Sequence, residues 1–205
     1  MIFTELATQE TIEKTVAGLE SRNIEAIVVE TKEQALEKIK ELIPKGASIN
    51  NGSSTTLQQI GLIDYLKGDG HGWNNLHAAV IAEKDLAKQA EARNRALFAE
   101  YYLGSAHALS SDGQMVIASA SGSQIAPLSF TARNVILVIG IQKITPDLET
   151  AMQRLYQHVV PLEDQRMKKT GAAGTIAAKI LLFEQEPAFM GRKVRVILVK
   201  ENLGF

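Results

Sequence analysis

The feature that most constrains this chain is the run Val135-Ile136-Leu137-Val138-Ile139, five branched apolar residues that lead through Gly140 and Ile141 to Gln142 and Lys143. A run with no polar alternation has no face to offer water, which is the pattern of a strand covered on both sides in a parallel sheet. It is far shorter than the roughly 20 residues of a bilayer-spanning helix. Three further segments, Ile24 to Val29, Ala47 to Asn50 and Val194 to Val199, read as companion strands. Between them apolar residues recur at helical spacing. Ile12, Val16 and Leu19 form one stripe. Ala35, Leu36, Ile39, Leu42 and Ile43 form a second, opened by the capping pair Thr31 and Gln34 and stopped by Pro44-Lys45-Gly46. Leu148, Met152, Leu155 and Val159 form a third, after Thr145-Pro146-Asp147. Such alternation predicts a three-layer α/β domain, a mainly parallel sheet with helices on both faces. The 205 residues, at about 150 per domain, predict one domain over 1–205.

The remaining segments are less regular. Residues 61 to 75, with Gly61, Gly68, Gly70 and Gly72, read as a short helix and an exposed loop, and 82 to 99 as a charged helical stretch. Ser111-Asp112-Gly113 between two apolar runs predicts a hairpin of Ala106 to Leu109 with Met115 to Ala118. Residues 161 to 186 read as mostly helical, broken at Gly171 and Gly174.

Composition narrows the chemistry. The 22 basic and 23 acidic side chains give a formal charge of -1, and aromatics are 5%, so neither a field for polyanions nor stacking platforms point to nucleic acid. Absence of cysteine removes disulfides, thiolate zinc sites, iron–sulfur clusters and thiol nucleophiles. No cofactor and no metal site is expected. His71 and His77 lie six apart in a Gly-rich loop, a spacing that matches no helical ligand pair. The first residues carry no basic or long apolar leader, from which a cytoplasmic protein without membrane association is expected.

Two loops follow predicted strands and precede predicted helices: Asn51, Gly52, Ser53, Ser54, Thr55 and Thr56, and Ser119 to Gln124, which includes Ser121, Gly122, Ser123 and Gln124. Small residues allow close backbone approach, and amides at a helix start favour an anion; equally, Ser54 or Thr55 can simply cap the helix. His107 lies between the loops in sequence, beside Gly104 and Ser105, where an imidazole can serve as acid, base or hydrogen-bond donor. Lys143 at the exit of the apolar strand is placed to reach an anion or, alternatively, to stand in solvent. Arg192, Lys193, Arg195 and Lys200 read as a solvated basic edge.

Several blocks, in order, carry a resemblance: Ile39-Lys40-Glu41-Leu42-Ile43-Pro44-Lys45-Gly46-Ala47, Ser53-Ser54-Thr55-Thr56-Leu57, Gly104 to Gly113, Val135 to Ile144 and Arg195 to Phe205. From about residue 8 onward the chain resembles the LUD (lactate-utilisation) domain family of LutC/YkgG-like proteins. That resemblance implies a fold similar to the ribose-5-phosphate isomerase, glucosamine-phosphate isomerase and CoA-transferase superfamily, with ligand loops at strand ends. It also implies a role beside lactate-oxidation proteins. The chain departs from the family at several places. Related domains carry Asn where His107 stands, and the acidic residue that the isomerases use near this position is missing. The cysteine cluster of many relatives is missing too, from a span that here reads Thr170-Gly171-Ala172-Ala173-Gly174-Thr175-Ile176. The leading expectation is a domain that binds a small anionic metabolite between the Asn51–Thr56, Gly104–His107 and Ser119–Gln124 segments, in support of organic-acid (lactate) utilisation. One alternative is an isomerase or acyl/CoA-type transferase with His107 as catalytic acid/base. Another is a partner-binding module with a decayed pocket, as a homo-oligomer or with lactate-oxidation partner proteins.

Overall fold

A computed structural model describes residues 3–205. Helix α1 (Gln9–Ser21) starts where the Thr8 hydroxyl accepts from the Thr11 amide, and it buries Ile12, Thr15 and Leu19. Strand β1 (Glu25–Val29) follows, then α2 (Lys32–Leu42), whose start is the Thr31/Gln34 capping box expected from the sequence. Strand β2 (Ser48–Asn51) runs into two short helices, α3 (Thr55–Gln59) and α4 (Leu62–Tyr65). Strand β3 (Asn74–Asn75) and helices α5 (Leu76–Ala82) and α6 (Leu86–Ala96) precede β4 (Tyr101–Gly104), β5 (Ala108–Ser110) and β6 (Met115–Ser119). Strand β7 (Asn134–Gly140), β8 (Ile144–Thr145), α7 (Leu148–Arg154), α8 (Val160–Lys169), β9 (Lys179–Phe183) and β10 (Lys193–Val199) complete the described chain.

Among the described residues the strands form two sheets. The larger is parallel throughout, in the order β1-β10-β7-β4-β2-β3, with the apolar run of β7 near its centre. Ile136, Val138, Ile197 and Val199 face α2, Leu57 and Trp73 on one side. Val135, Leu137, Ile139, Val196 and Leu198 face the other, where α1 is joined by a second sheet that supplies Leu109, Met115, Ile117 and Phe183. All four strands expected from the apolar runs are present, and the three-layer α/β reading holds. One face, however, is shared between a helix and a sheet.

That second sheet, order β8-β5-β6-β9, arises at a fork. Neighbours β4 and β7 leave the large sheet at their carboxyl ends and pair again, still parallel, as β5 and β8. The expected hairpin is β5/β6, with Leu109 opposite Met115. Its turn packs backbone to backbone on α1: a Cβ added at Gly18 would lie 2.6 Å from the Asp112 carbonyl carbon, and Gly113 sits at φ +93°, so neither position accepts a side chain without movement. The far face of the second sheet is covered by Ala151 of α7 and by Leu155 and Val159, which follow it, packed against Ala108, Val116 and Ala118, with Val160 of α8 partly buried at their edge. These two helices run on through one wide π turn, Leu155–Val159.

Two expectations are corrected. Residues 179–183, within the stretch read as helical, form strand β9 because the open edge of β6 offers it a full antiparallel ladder. The Gly-rich 61–75 segment is not simply an exposed loop. Trp73 is buried with its indole N–H donating to the Ile43 carbonyl at 3.2 Å, and β3 extends the sheet beside β2. No helix among the described residues is long and apolar enough to cross a membrane.

Candidate functional site

The fork leaves a cavity of about 350 Å³ between the carboxyl ends of β2 and β4, the loop after β6, and the α7–α8 unit. Its lining includes Gly52, Ser53, Ser54 and Thr55 from the first loop, Gly104, Ser105 and His107 from the β4–β5 crossover, and Ser121, Ser123, Gln124 and Lys143. The two loops meet: a Cβ at Gly52 would stand 2.7 Å from the Tyr102 hydroxyl and 3.3 Å from Gln124 Oε1. Two candidate residues fall outside the lining. Asn51 is buried beneath the loop, its amide donating to the Gly52 carbonyl at 3.3 Å. Gly122, at φ +90°, turns against the Lys179 side chain and shapes the second loop without facing the cavity. The first loop also shows the capping role: Ser54 Oγ accepts from the Leu57 amide at 3.3 Å, opening a helix of only five residues. In the second loop Ser121 and Ser123 share a hydroxyl hydrogen bond at 3.0 Å, and Gln124 Nε2 donates to Ala118 O at 2.6 Å.

Lys143 is buried, 3% exposed. Its ammonium donates to Thr56 Oγ1 at 3.0 Å, Ser105 Oγ at 3.2 Å and the Ala106 carbonyl at 3.2 Å. It therefore ties the fork together, because Ser105 and Ala106 belong to one crossover and Lys143 to the other. All three partners are uncharged oxygens, and no Asp or Glu among the described residues pairs with it. Burial, and then the nearby Arg154 guanidinium, push its pKa down to about 7. The alternative of a solvent-exposed lysine is thus corrected: the 3₁₀ turn Ile141–Lys143 folds the side chain inward under β4.

Arg154, fully buried, is a second cation that pairs with no Asp or Glu among the described residues. It donates to the carbonyl of His107, to Phe205 O at 3.2 Å and to Phe3 O at 3.5 Å, while its Nε finds no partner among the described residues. Burial brings its pKa down to about 10. The sequence reading missed it because it stands one residue before the π turn, where 3.6-residue periodicity breaks. His107 accepts from the Ala118 amide at Nδ1, 3.1 Å. A neutral imidazole that accepts at Nδ1 carries its proton at Nε2. Burial foremost, then Lys143 and Arg154, push its pKa down to about 3, so the ring stays neutral and offers a donor.

The opposite wall was also missed: Leu155, Val159, Val160, Met167 and Ile176, with the Glu163–Arg166 ion pair at 2.6 Å among them. The only signal for it in the sequence was the apolar stripe of α7, which reads equally as core. The other histidines lie apart from the cavity lining: His71 Nδ1 accepts from the Trp73 amide at 2.9 Å and its ring packs near Tyr65 and Trp73. No group of three or more metal-binding side chains is found among the described residues.

No curated protein matches the sequence. Among solved structures, the chain is similar to a crystal structure of a DUF162 family protein from Deinococcus radiodurans, at 13% identity and a TM-score of 0.58, over 95% of this chain and 99% of that one. At that identity the likeness speaks for the fold. The sequence itself matches the LUD domain family over residues 12–199. That match takes in β1, β2, the fork, Lys143 and all of β10, so the chain belongs to the LUD domain family.

Proposed function

We propose that this chain binds a small organic anion in the cavity at the fork, and that it serves organic-acid metabolism of the lactate-utilisation type. The observation that carries the reading is Lys143: a buried ammonium in the wall of a hydroxyl-lined cavity, paired with no Asp or Glu among the described residues. Taking a charge out of water costs several kcal/mol unless an opposite charge comes with it. In most proteins the partner is an Asp or Glu; here the cavity leaves room for a carboxylate that arrives from solution. Ser105, Ser121 and Ser123 supply adaptable donors, and the Nε2–H of neutral His107 supplies one of fixed polarity. That polarity favours orientation of a carboxylate or hydroxyl over proton abstraction, so binding is a better reading than acid/base turnover at His107.

The test is a thermal-shift panel of lactate, pyruvate, sugar phosphates, CoA esters and nucleotides on the full chain. An anion at a hundredfold excess over its Kd should stabilise the fold by about 2.7 kcal/mol. In Lys143→Met the stabilisation should fall to about half of that or less. A panel in which no anion shifts the transition, or in which Lys143→Met responds like the parent, contradicts the reading.

A further inference from the structure

The walls of the cavity divide by element, and the division speaks to the shape of the ligand. The strand-end side is polar: Ser53, Ser105, Ser121 and Ser123, with Lys143 beneath them. The helical side carries Leu155 and Val159 from the π turn, Met167 from α8 and Ile176 from the segment after it, with the Glu163–Arg166 ion pair the charged group among them, its two charges satisfied by each other. Ile176 is 68% exposed although it lines the cavity, so folding alone leaves an apolar side chain facing open space there. The segment that carries it is held in place, since the Thr175 amide donates to Asp164 Oδ1 at 2.9 Å. Size points the same way. A three-carbon acid has the bulk of roughly three to four waters at about 30 Å³ each, about a third of the cavity volume.

We infer that the cavity takes a carboxylate bearing an apolar arm of several carbons, a 2-hydroxy or 2-oxo acid longer than lactate, with its head on the Lys143 side and its arm along Met167 and Ile176. This rests on the reading of the cavity as an anion site. The arm covers Met167 and Ile176, and each methylene that reaches them adds the transfer free energy of a buried CH₂.

The experiment is calorimetric titration of the full chain with straight-chain 2-hydroxy acids from lactate to 2-hydroxyoctanoate. Affinity should rise about fourfold per methylene until the wall is covered. Ile176→Ser, a change at an exposed position, should flatten that slope while Lys143→Met weakens every member alike. Should Ile176→Ser disturb the fold, Met167→Gln provides the same reading. Affinity that stays flat or falls with length, while lactate binding still depends on Lys143, overturns the inference and leaves the anion site standing. If no member of the series binds, the anion reading itself falls, and the inference with it.

Discussion

Two sets of cations sit in this molecule under opposite arrangements. Along β10 and its approach, every basic side chain named in the sequence except Lys193 has an acidic partner in the structure: Arg192 with Glu186, Arg195 with Glu25, Lys200 with Glu30. Arg192 goes further and donates to the carbonyls of Pro127, Leu128, Ser129 and Ala132, closing the end of the 127–131 turn. At the fork, Lys143 and Arg154 are at least as deeply buried, and neither pairs with an Asp or Glu among the described residues. Under the proposed function, the difference separates charge used for folding from charge kept for a ligand. A fold that needed Lys143 only as a tie could use a neutral donor there at lower cost.

The largest effect should come from breaking a pair in the first set. Arg192 and Glu186 are 7% and 2% exposed at their side chains, so Glu186→Ala leaves a buried guanidinium alone. Chemical denaturation should show a loss of about 3–5 kcal/mol. Binding at the fork should be unaffected in the variant that remains folded.

Lys143→Met should behave in the opposite way. No carbonyl is orphaned by it, because Ser105 Oγ already donates to Ala106 O at 3.2 Å. Stability should hold or rise while anion affinity falls at least tenfold, or about 1.4 kcal/mol. Stability loss as large as that of Glu186→Ala would make Lys143 a structural tie and erase the contrast.

His107 gives a smaller, pH-dependent signature. Its folded pKa, about 3, lies below the ordinary 6.5, so the unfolded chain binds the extra proton between those values. Stability therefore falls as pH drops from about 6.5 towards 3. His107→Asn, whose side-chain oxygen can still accept from the Ala118 amide, should flatten this part of the stability–pH curve. An unchanged curve would mean the ring is not the buried neutral group described.

The smallest effect belongs to the solvent side of the basic edge. Glu30 faces Lys200 with its side chain 65% exposed, and Glu30→Gln should cost no more than about 1 kcal/mol by denaturation.

How far the sequence could be read follows the same physics. The strands were legible because continuous apolar runs have few other uses, and the Thr31/Gln34 start of α2 because capping is local. Gly52, Ser105, Ser121, Ser123 and Gln124, which line the cavity, stand out in the sequence as small or polar residues at strand ends. What was hidden depends on contacts distant in sequence. The two-residue β8 carries no pattern of its own, and β9 becomes a strand only because β6 has a free edge. The burial of Lys143 depends on Thr56 and Ser105, 87 and 38 residues away. The apolar wall was invisible because a cavity lining and a core stripe use the same residues.

The central claim, that Lys143 holds a charge for a ligand, is tested most directly by proton uptake on binding. With its pKa pushed down to about 7, the amine is partly neutral at pH 7.5, and a bound carboxylate should draw the missing fraction of a proton onto it. Calorimetric titration of one organic acid at pH 7.5, in two buffers of different ionisation enthalpy, measures that fraction. Net uptake in the parent chain, absent in Lys143→Met together with most of the affinity, is the predicted result. Equal affinity in both chains, with no buffer-dependent heat in either, would contradict it.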